Sequence, residues 1–321
     1  MKKALVALPL NKTQRERLES VSDQLEFTYV DRDKVTSQMV ASANIIVGNI
    51  SRKTLADAKA LEFMQIESAG VEHLTNDNVL PEKVILANGT GAYGEPIAEY
   101  MVAAVMTMQK KFHLYLRNMT DGRWKFEGYT GNMRDAVTLV LGCGDIGSHF
   151  AMKMNALGGK VIGVRKNKAD CPDYLESIHQ IEELEELLPL ADIIACSLPG
   201  TPETKHLLNR KRLEKTKKGA LLVNIGRGSL IPTEDLIWAL EVGQLGGAVI
   251  DVTEVEPLPK DSKLWKAPNL LITPHVSGLS YQSDILEKIV EITRENIKAF
   301  LAGEQIQTEV DRKAGYRKFQ G

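Results

Sequence analysis

Residues 137–147 constrain the fold more than any other stretch of this 321-residue chain. An apolar, β-prone run, Val137-Thr138-Leu139-Val140-Leu141, passes directly into Gly142-Cys143-Gly144-Asp145-Ile146-Gly147. A helical pattern follows to Leu157 and stops at Gly158-Gly159. A Gly-x-Gly-x-x-Gly turn says little alone, but between a strand and a helix it has a physical reading. Gly142 permits the tight turn. Gly144 removes a side chain where a pyrophosphate must approach the backbone, and Gly147 lets helix and strand pack closely. Asp145 and Ile146 open the helix, whose N-terminus carries free N–H groups and a partial positive charge. The segment reads as a dinucleotide-binding turn.

The rest of the chain has the same rhythm. Apolar runs at 4–8, 26–30, 43–47, 64–67 and 84–87 read as strands, with a helix at 13–25. A helical pattern without internal Pro or Gly covers 97–117, and a polar, aromatic, Gly-containing stretch at 120–132 reads as an irregular arm. Further strands are expected at 137–141, 161–164, 193–197, 221–225, 248–252 and 270–273, six in all, and a last amphipathic helix at 284–302. Strands alternating with helices imply parallel sheets covered on both faces. The expected fold class is α/β, with two doubly wound parallel-sheet domains.

Composition narrows the setting. The chain is 43% apolar and 26% charged with a formal net charge of −2, which argues against a general nucleic-acid binder. Cys143, Cys171 and Cys196 are odd in number and form no CxxC pair, so neither a disulfide framework nor a metal site is expected. A reducing cytoplasm is the expected compartment. No apolar run reaches the length of a membrane span. The short run at 4–8 is interrupted by Pro9 and Asn11 and reads as a buried strand rather than a signal peptide.

Charges at two places carry chemistry. After the strand at 161–164, the position where an acid would accept from the ribose 2′-hydroxyl of NAD holds Arg165, followed by Lys166 and Lys168. Arg165 donates and cannot accept, which suits the 2′-phosphate of NADP. NADP(H) is therefore favoured, with NAD(H) possible. Downstream, Arg227 stands in Asn224-Ile225-Gly226-Arg227-Gly228, Glu256 in Asp251-Val252-Thr253-Glu254-Val255-Glu256-Pro257, and His275 in Thr273-Pro274-His275. The Arg can fork onto a carboxylate. The His can exchange a proton near neutral pH, and the Glu can hold that His and favour its protonated form. Together they suit hydride transfer between a nicotinamide and a carbonyl beside a carboxylate.

These motifs, with Ser68-Ala69-Gly70-Val71-Glu72-His73, Ala98-Glu99, the 197–204 run and the 269–278 run, resemble the D-isomer-specific 2-hydroxyacid dehydrogenases over nearly the whole chain. The resemblance implies a cofactor domain at 98–283 inserted into a substrate domain made of 1–97 and 284–321. It implies a homodimer formed through the cofactor domain and its arm, and no membrane or nucleic-acid partner. It assigns Arg227, Glu256 and His275 to catalysis, and the backbone N–H groups of Ala69, Gly70 and Val71 to a substrate carboxylate. It places Pro199, Thr204, Ile225, Gly226, Arg227, Asp251 and His275 at the cofactor, with Asp251 near the nicotinamide carboxamide. The implied activity is reduction of a 2-keto acid to a D-2-hydroxy acid with NAD(P)H. A nucleotide-sensing corepressor like the C-terminal-binding proteins keeps the same three residues. A formate or phosphite dehydrogenase is a further alternative, and formate enzymes usually carry an amide where Glu256 stands. Cys143, in place of the usual larger apolar residue, is expected to pack.

Overall fold

A computed structural model describes residues 1–75, 79–167 and 169–317. The chain divides into two compact units, Met1–Tyr93 with Leu279–Gly321, and Gly94–Gly278.

The first unit is built on five parallel strands, β1 (Lys2–Val6), β2 (Leu25–Tyr29), β3 (Ile45–Val47), β4 (Phe63–Gln65) and β5 (Ile85–Ala87). They lie in the order β2-β1-β3-β4-β5. β3 and β4 are buried along their whole length, as expected of parallel strands covered on both faces. Helix Lys12–Glu19 ends well before the expected residue 25, because Leu25 already pairs with Lys2. Helix Ser283–Ala302 returns to this unit and buries Ile285, Ile289, Val290 and Ile297. Its buried Asn296 donates to Gln65 Oε1 and Thr308 Oγ1, each at 2.7 Å. Thr308 in turn donates to the Asn88 carbonyl at 2.7 Å. These bonds satisfy polar groups that burial would otherwise penalise.

The second unit holds seven parallel strands: β6 (Val137–Leu141), β7 (Lys160–Val164), β8 (Ser177–His179), β9 (Ile193–Cys196), β10 (Ala220–Asn224), β11 (Leu245–Ile250) and β12 (Leu270–Ile272). Their order is β12-β11-β10-β9-β6-β7-β8. The sheet thus has one strand more than the six expected. The missed strand, β8, is a three-residue edge strand of Ser, Ile and His, too short and polar to give a period-2 signal. The expected helix at 97–117 is two helices, Gly94–Gln109 and Phe112–Thr120. Lys111 breaks them with a left-handed φ of 59°. Lys110 donates to the Gly131 carbonyl at 2.6 Å, and Lys111 donates to the Glu127 carbonyl. The break thus turns two cations onto the irregular 121–132 segment. No helix among the described residues is long and apolar enough to cross a membrane.

Phe63 is fully buried and stacks on Phe300 with ring centroids 5.1 Å apart. Phe63→Ala is expected to cost about 3–5 kcal/mol of unfolding free energy, measured by chemical denaturation. A loss under about 1 kcal/mol would show that the Phe63–Phe300 layer does not hold the first unit together.

Candidate active site

The nucleotide turn forms as its glycines require. Gly142 takes a φ of 101°, and its N–H donates to the Val164 carbonyl at 2.9 Å. A Cβ on Gly147 would stand 1.9 Å from the Gly142 carbonyl oxygen, so only glycine allows this approach of helix to strand. A Cβ on Gly144 would meet nothing within 4 Å, which leaves room for a phosphate against the backbone. Gly144 caps helix Asp145–Ala156 without a side chain, so its first-turn amides receive no acceptor from the cap. Asp145 lies 3.5 Å from His149 within that turn, and Ile146 is half-buried. These features fit a dinucleotide pyrophosphate.

Beyond β7, Arg165 is half-buried, and its backbone N–H donates to the His179 carbonyl at 3.0 Å. It lines a cavity of about 180 Å³ with Cys143, Ser148, Asp170, Cys171 and Tyr174. Lys166 is exposed nearby, and Lys168 lies outside the described residues. Asp170 is not legible in the sequence as a site residue, because it sits in the loop past the expected acid position. Burial pushes the Cys143 thiol up to about 11, which keeps it protonated near neutral pH and agrees with a packing role. After β9, Thr204 Oγ1 donates to the Pro199 carbonyl at 2.6 Å and accepts from the Thr201 N–H at 2.9 Å. This closes the loop that carries both residues.

The charged residues leave the C-terminal ends of the adjacent strands β10 and β11. Past β10, the Gly226 N–H donates to Asn224 Oδ1 at 3.1 Å, and Asn224 Nδ2 donates to the Arg227 carbonyl at 3.0 Å. Ile225 is buried beneath the turn. Arg227 is extended, and its Nη1 donates to the Gly226 carbonyl at 2.7 Å. A Cβ on Gly228 would lie 2.0 Å from the Thr253 carbonyl carbon, so the Arg227 loop and the loop after β11 touch backbone to backbone. The Thr253 N–H then donates to Glu256 Oε1 at 2.9 Å. The other oxygen, Oε2, faces His275 Nδ1 at 2.8 Å.

His275 is held on both sides. Its φ is 54°, and its N–H donates to the Asp251 carbonyl at 2.9 Å. The Asp251 carboxylate is buried and accepts three hydrogen bonds, from the Val276 and Ser277 N–H groups at 2.9 Å and from Thr273 Oγ1 at 2.6 Å. Tyr100 completes the chain at 2.5 Å from Thr273 Oγ1. Thr273 spends its proton on Asp251, so Tyr100 is the donor. Burial pushes the Tyr100 phenol up, which keeps that proton in place. Neither Tyr100 nor Thr273 is legible in the sequence as part of this segment, since nothing there shows that they meet. His275 is 53% exposed, and its Nε2 has no partner among the described residues. One nitrogen is thus fixed by a carboxylate, and the other is open to a reacting molecule.

In the first unit, Ser68 Oγ donates to the Gly70 carbonyl at 2.8 Å, and Asn88 Nδ2 donates to the Ala69 carbonyl at 2.7 Å. With those carbonyls held, the N–H groups of Ala69, Gly70 and Val71 donate to no acceptor among the described residues. Tyr93 is buried, and its hydroxyl donates to the Glu67 carbonyl at 2.7 Å, whereas Trp124 is fully exposed. His73 is exposed. His179 and His206 pair with Glu183 and Glu254 at 2.8 and 3.0 Å.

Two alanine substitutions separate fold from function in the nucleotide turn. Gly144→Ala is expected to melt as the parent does and lose nucleotide affinity roughly tenfold or more. Gly147→Ala is expected to lower the melting temperature itself. Thermal melts beside nucleotide fluorescence titration check both, and equal melting of the two variants would remove the distinction.

The family model for the D-isomer specific 2-hydroxyacid dehydrogenase NAD binding domain matches residues 102–277. A putative 2-hydroxyacid dehydrogenase of Haemophilus influenzae is 31% identical over 282 residues, 83% of this chain and 87% of that protein. A D-isomer specific 2-hydroxyacid dehydrogenase family protein of Aeromonas salmonicida has a similar structure, with a TM-score of 0.86 at 30% identity over 97% of this chain and 99% of the other. A D-isomer specific 2-hydroxyacid dehydrogenase of Xanthobacter autotrophicus, solved with NADPH and MES, gives 0.84 at 25% identity over 98% and 99% of the two chains. The chain belongs to the D-isomer-specific 2-hydroxyacid dehydrogenase family of NAD(P)-dependent oxidoreductases.

Proposed function

We propose that this protein reduces a 2-keto acid to a D-2-hydroxy acid and prefers NADPH to NADH. The observation that carries the reading is His275, with Nδ1 on Glu256 at 2.8 Å and Nε2 open. When bound, the dihydronicotinamide supplies the hydride. His275 delivers the proton from Nε2 to the carbonyl oxygen as negative charge grows there. Glu256 keeps the imidazole oriented and stabilises its protonated form. Arg227 polarises the carbonyl and takes part of the carboxylate, where a fixed cation is worth more than in water. The three amides of residues 69–71 are assigned to the same carboxylate. Asp251 holds the His275 segment, and it is also assigned to the nicotinamide carboxamide. Pro199, Thr204, Ile225 and Gly226 border the cofactor in this reading.

Arg165 on the 180 Å³ cavity supports the NADPH preference, and the Xanthobacter relative was solved with NADPH. Asp170 on that cavity supports a secondary use of NADH, since its carboxylate can accept from ribose hydroxyls. Trp124, Phe126 and Tyr129 are exposed on the arm and support a homodimer formed there. The free thiols Cys143, Cys171 and Cys196 fit a reducing cytoplasm. Glu256 keeps a carboxylate where formate enzymes usually carry an amide. Turnover separates a reductase from a corepressor of the same fold.

A panel of 2-keto acids with both nucleotides is expected to show a higher kcat/KM with NADPH, and Arg165→Asp is expected to reverse the order. Equal efficiency of the parent with both nucleotides would remove the preference. His275→Ala is expected to lower kcat by about 10²–10⁴ while nucleotide affinity stays close to the parent's. Undiminished turnover in that variant would remove His275 as the proton donor.

A further inference from the structure

The C-terminal edge of the first sheet carries a charged pair that the roles above leave unassigned. Glu67, just past β4, is 1% exposed. Its carboxylate accepts from the guanidinium of Arg32, which follows β2, and from the N–H of Asn49, which follows β3. Arg32 is 43% exposed. It engages Glu67 through Nη2, and its Nε and Nη1 donors have no acceptor among the described residues. The Tyr281 ring centroid stands 5.8 Å from Arg32 Cζ.

This arrangement is asymmetric. The carboxylate is sealed inside and the cation faces out. A buried carboxylate needs a partner, so Glu67 fixes the guanidinium that neutralises it. An Arg presents five N–H donors in a rigid fork, and an Arg anchored through one Nη keeps its remaining donors placed for a second anion. The place also fits a ligand. The order β2-β1-β3-β4-β5 reverses between β1 and β3, and ligands bind such sheets in the crevice outside the strand ends at the reversal. Arg32 and Asn49 reach Glu67 from the two sides of that point. Glu67 is followed directly by Ser68 and the amide turn at 69–71.

We propose, resting on the reductase reading above, that Arg32 binds a second anionic group on the substrate, so that the preferred 2-keto acid carries a distal carboxylate, sulfonate or phosphate ester. Glu67 is a positioning residue that acts through Arg32. The amides at 69–71 take the carboxylate beside the ketone, and Arg32 takes the far end.

The test compares glyoxylate, pyruvate and hydroxypyruvate with oxaloacetate, 3-sulfopyruvate and 3-phosphohydroxypyruvate, in the parent and in Arg32→Lys. Lysine keeps the charge that Glu67 needs and loses the fork. The parent is expected to show its highest kcat/KM with a member of the second group, and the three arms identify which anion. Arg32→Lys is expected to raise KM for that substrate roughly tenfold, with kcat and the first group little changed. The pair Arg32→Gln with Glu67→Gln, which leaves no buried charge, is expected to melt near the parent and give the same KM pattern. A parent preference for the first group, or equal KM changes in both groups, overturns the role of Arg32 and leaves the reductase reading standing. Reduction of no 2-keto acid, with nucleotide still bound, overturns both.

Discussion

The buried carboxylate of Asp251 is the contact on which the geometry around His275 depends. It leaves the end of β11 and takes two amides and a hydroxyl from residues 273–277. His275 sits in that segment with a left-handed φ of 54°, a conformation that costs a non-glycine residue about 1–2 kcal/mol. Hydrogen bonds to a carboxylate, at about 1.5–3 kcal/mol each, offset that cost. The segment is therefore fixed from below, and the imidazole is aimed before any ligand arrives. Glu256 then has only to hold a ring already in place, which it does from its own hydrogen bond with the Thr253 N–H.

Close backbone approach does the remaining positioning. Gly226 and Gly228 stand where a Cβ would fall 2.6 Å from the Leu198 carbonyl oxygen and 2.0 Å from the Thr253 carbonyl carbon. Arg227 lies between them, so a long flexible side chain springs from a backbone with little room to move. Gly228 abuts Thr253, Thr253 holds Glu256, and Glu256 holds His275. The glycines that flank Arg227 in the sequence are thus how its loop reaches the other two residues.

What the sequence reveals follows from the range of each interaction. The buried strands announce themselves because a parallel strand covered on both faces must be apolar throughout. The glycine turn is legible because its three constraints act within six residues, 142–147. β8 is not, because an edge strand of three residues needs no apolar run. The break at Lys111 is not, because neither Pro nor Gly marks it, and the bonds from Lys110 and Lys111 go to residues 127–131. Glu67 reads as one more acid near a turn until β4 buries it and Arg32 is brought to it from 35 positions away. Asp251 is visible as an acid at a strand end, but the partners that define its work, Thr273 and Tyr100, come from beyond β12 and from a helix before β6. Local sterics and burial leave marks in a sequence, and long-range polar pairs do not.

The two large sheets are wholly parallel, and that shapes how this chain can change. In a parallel sheet every strand ends at the same edge, so loops distant in sequence gather there without further instruction. In the second unit that edge gathers the glycine turn, Arg165, Arg227, Glu256 and His275, to which the proposed reduction assigns the nucleotide and the reacting carbonyl. In the first unit it gathers the amide turn, proposed for the carboxylate that every 2-keto acid carries, and Arg32, Asn49 and Glu67, of which Arg32 is proposed to read the charge at the far end. In the proposed reaction the proton donor, His275, is held by contacts within the second unit, such as Asp251 with the 273–277 segment. The bonds that hold the His275–Glu256 pair among the described residues come from Thr253 and from Asp251, so in the proposed reading a change of substrate choice at Arg32 acts through contacts other than these.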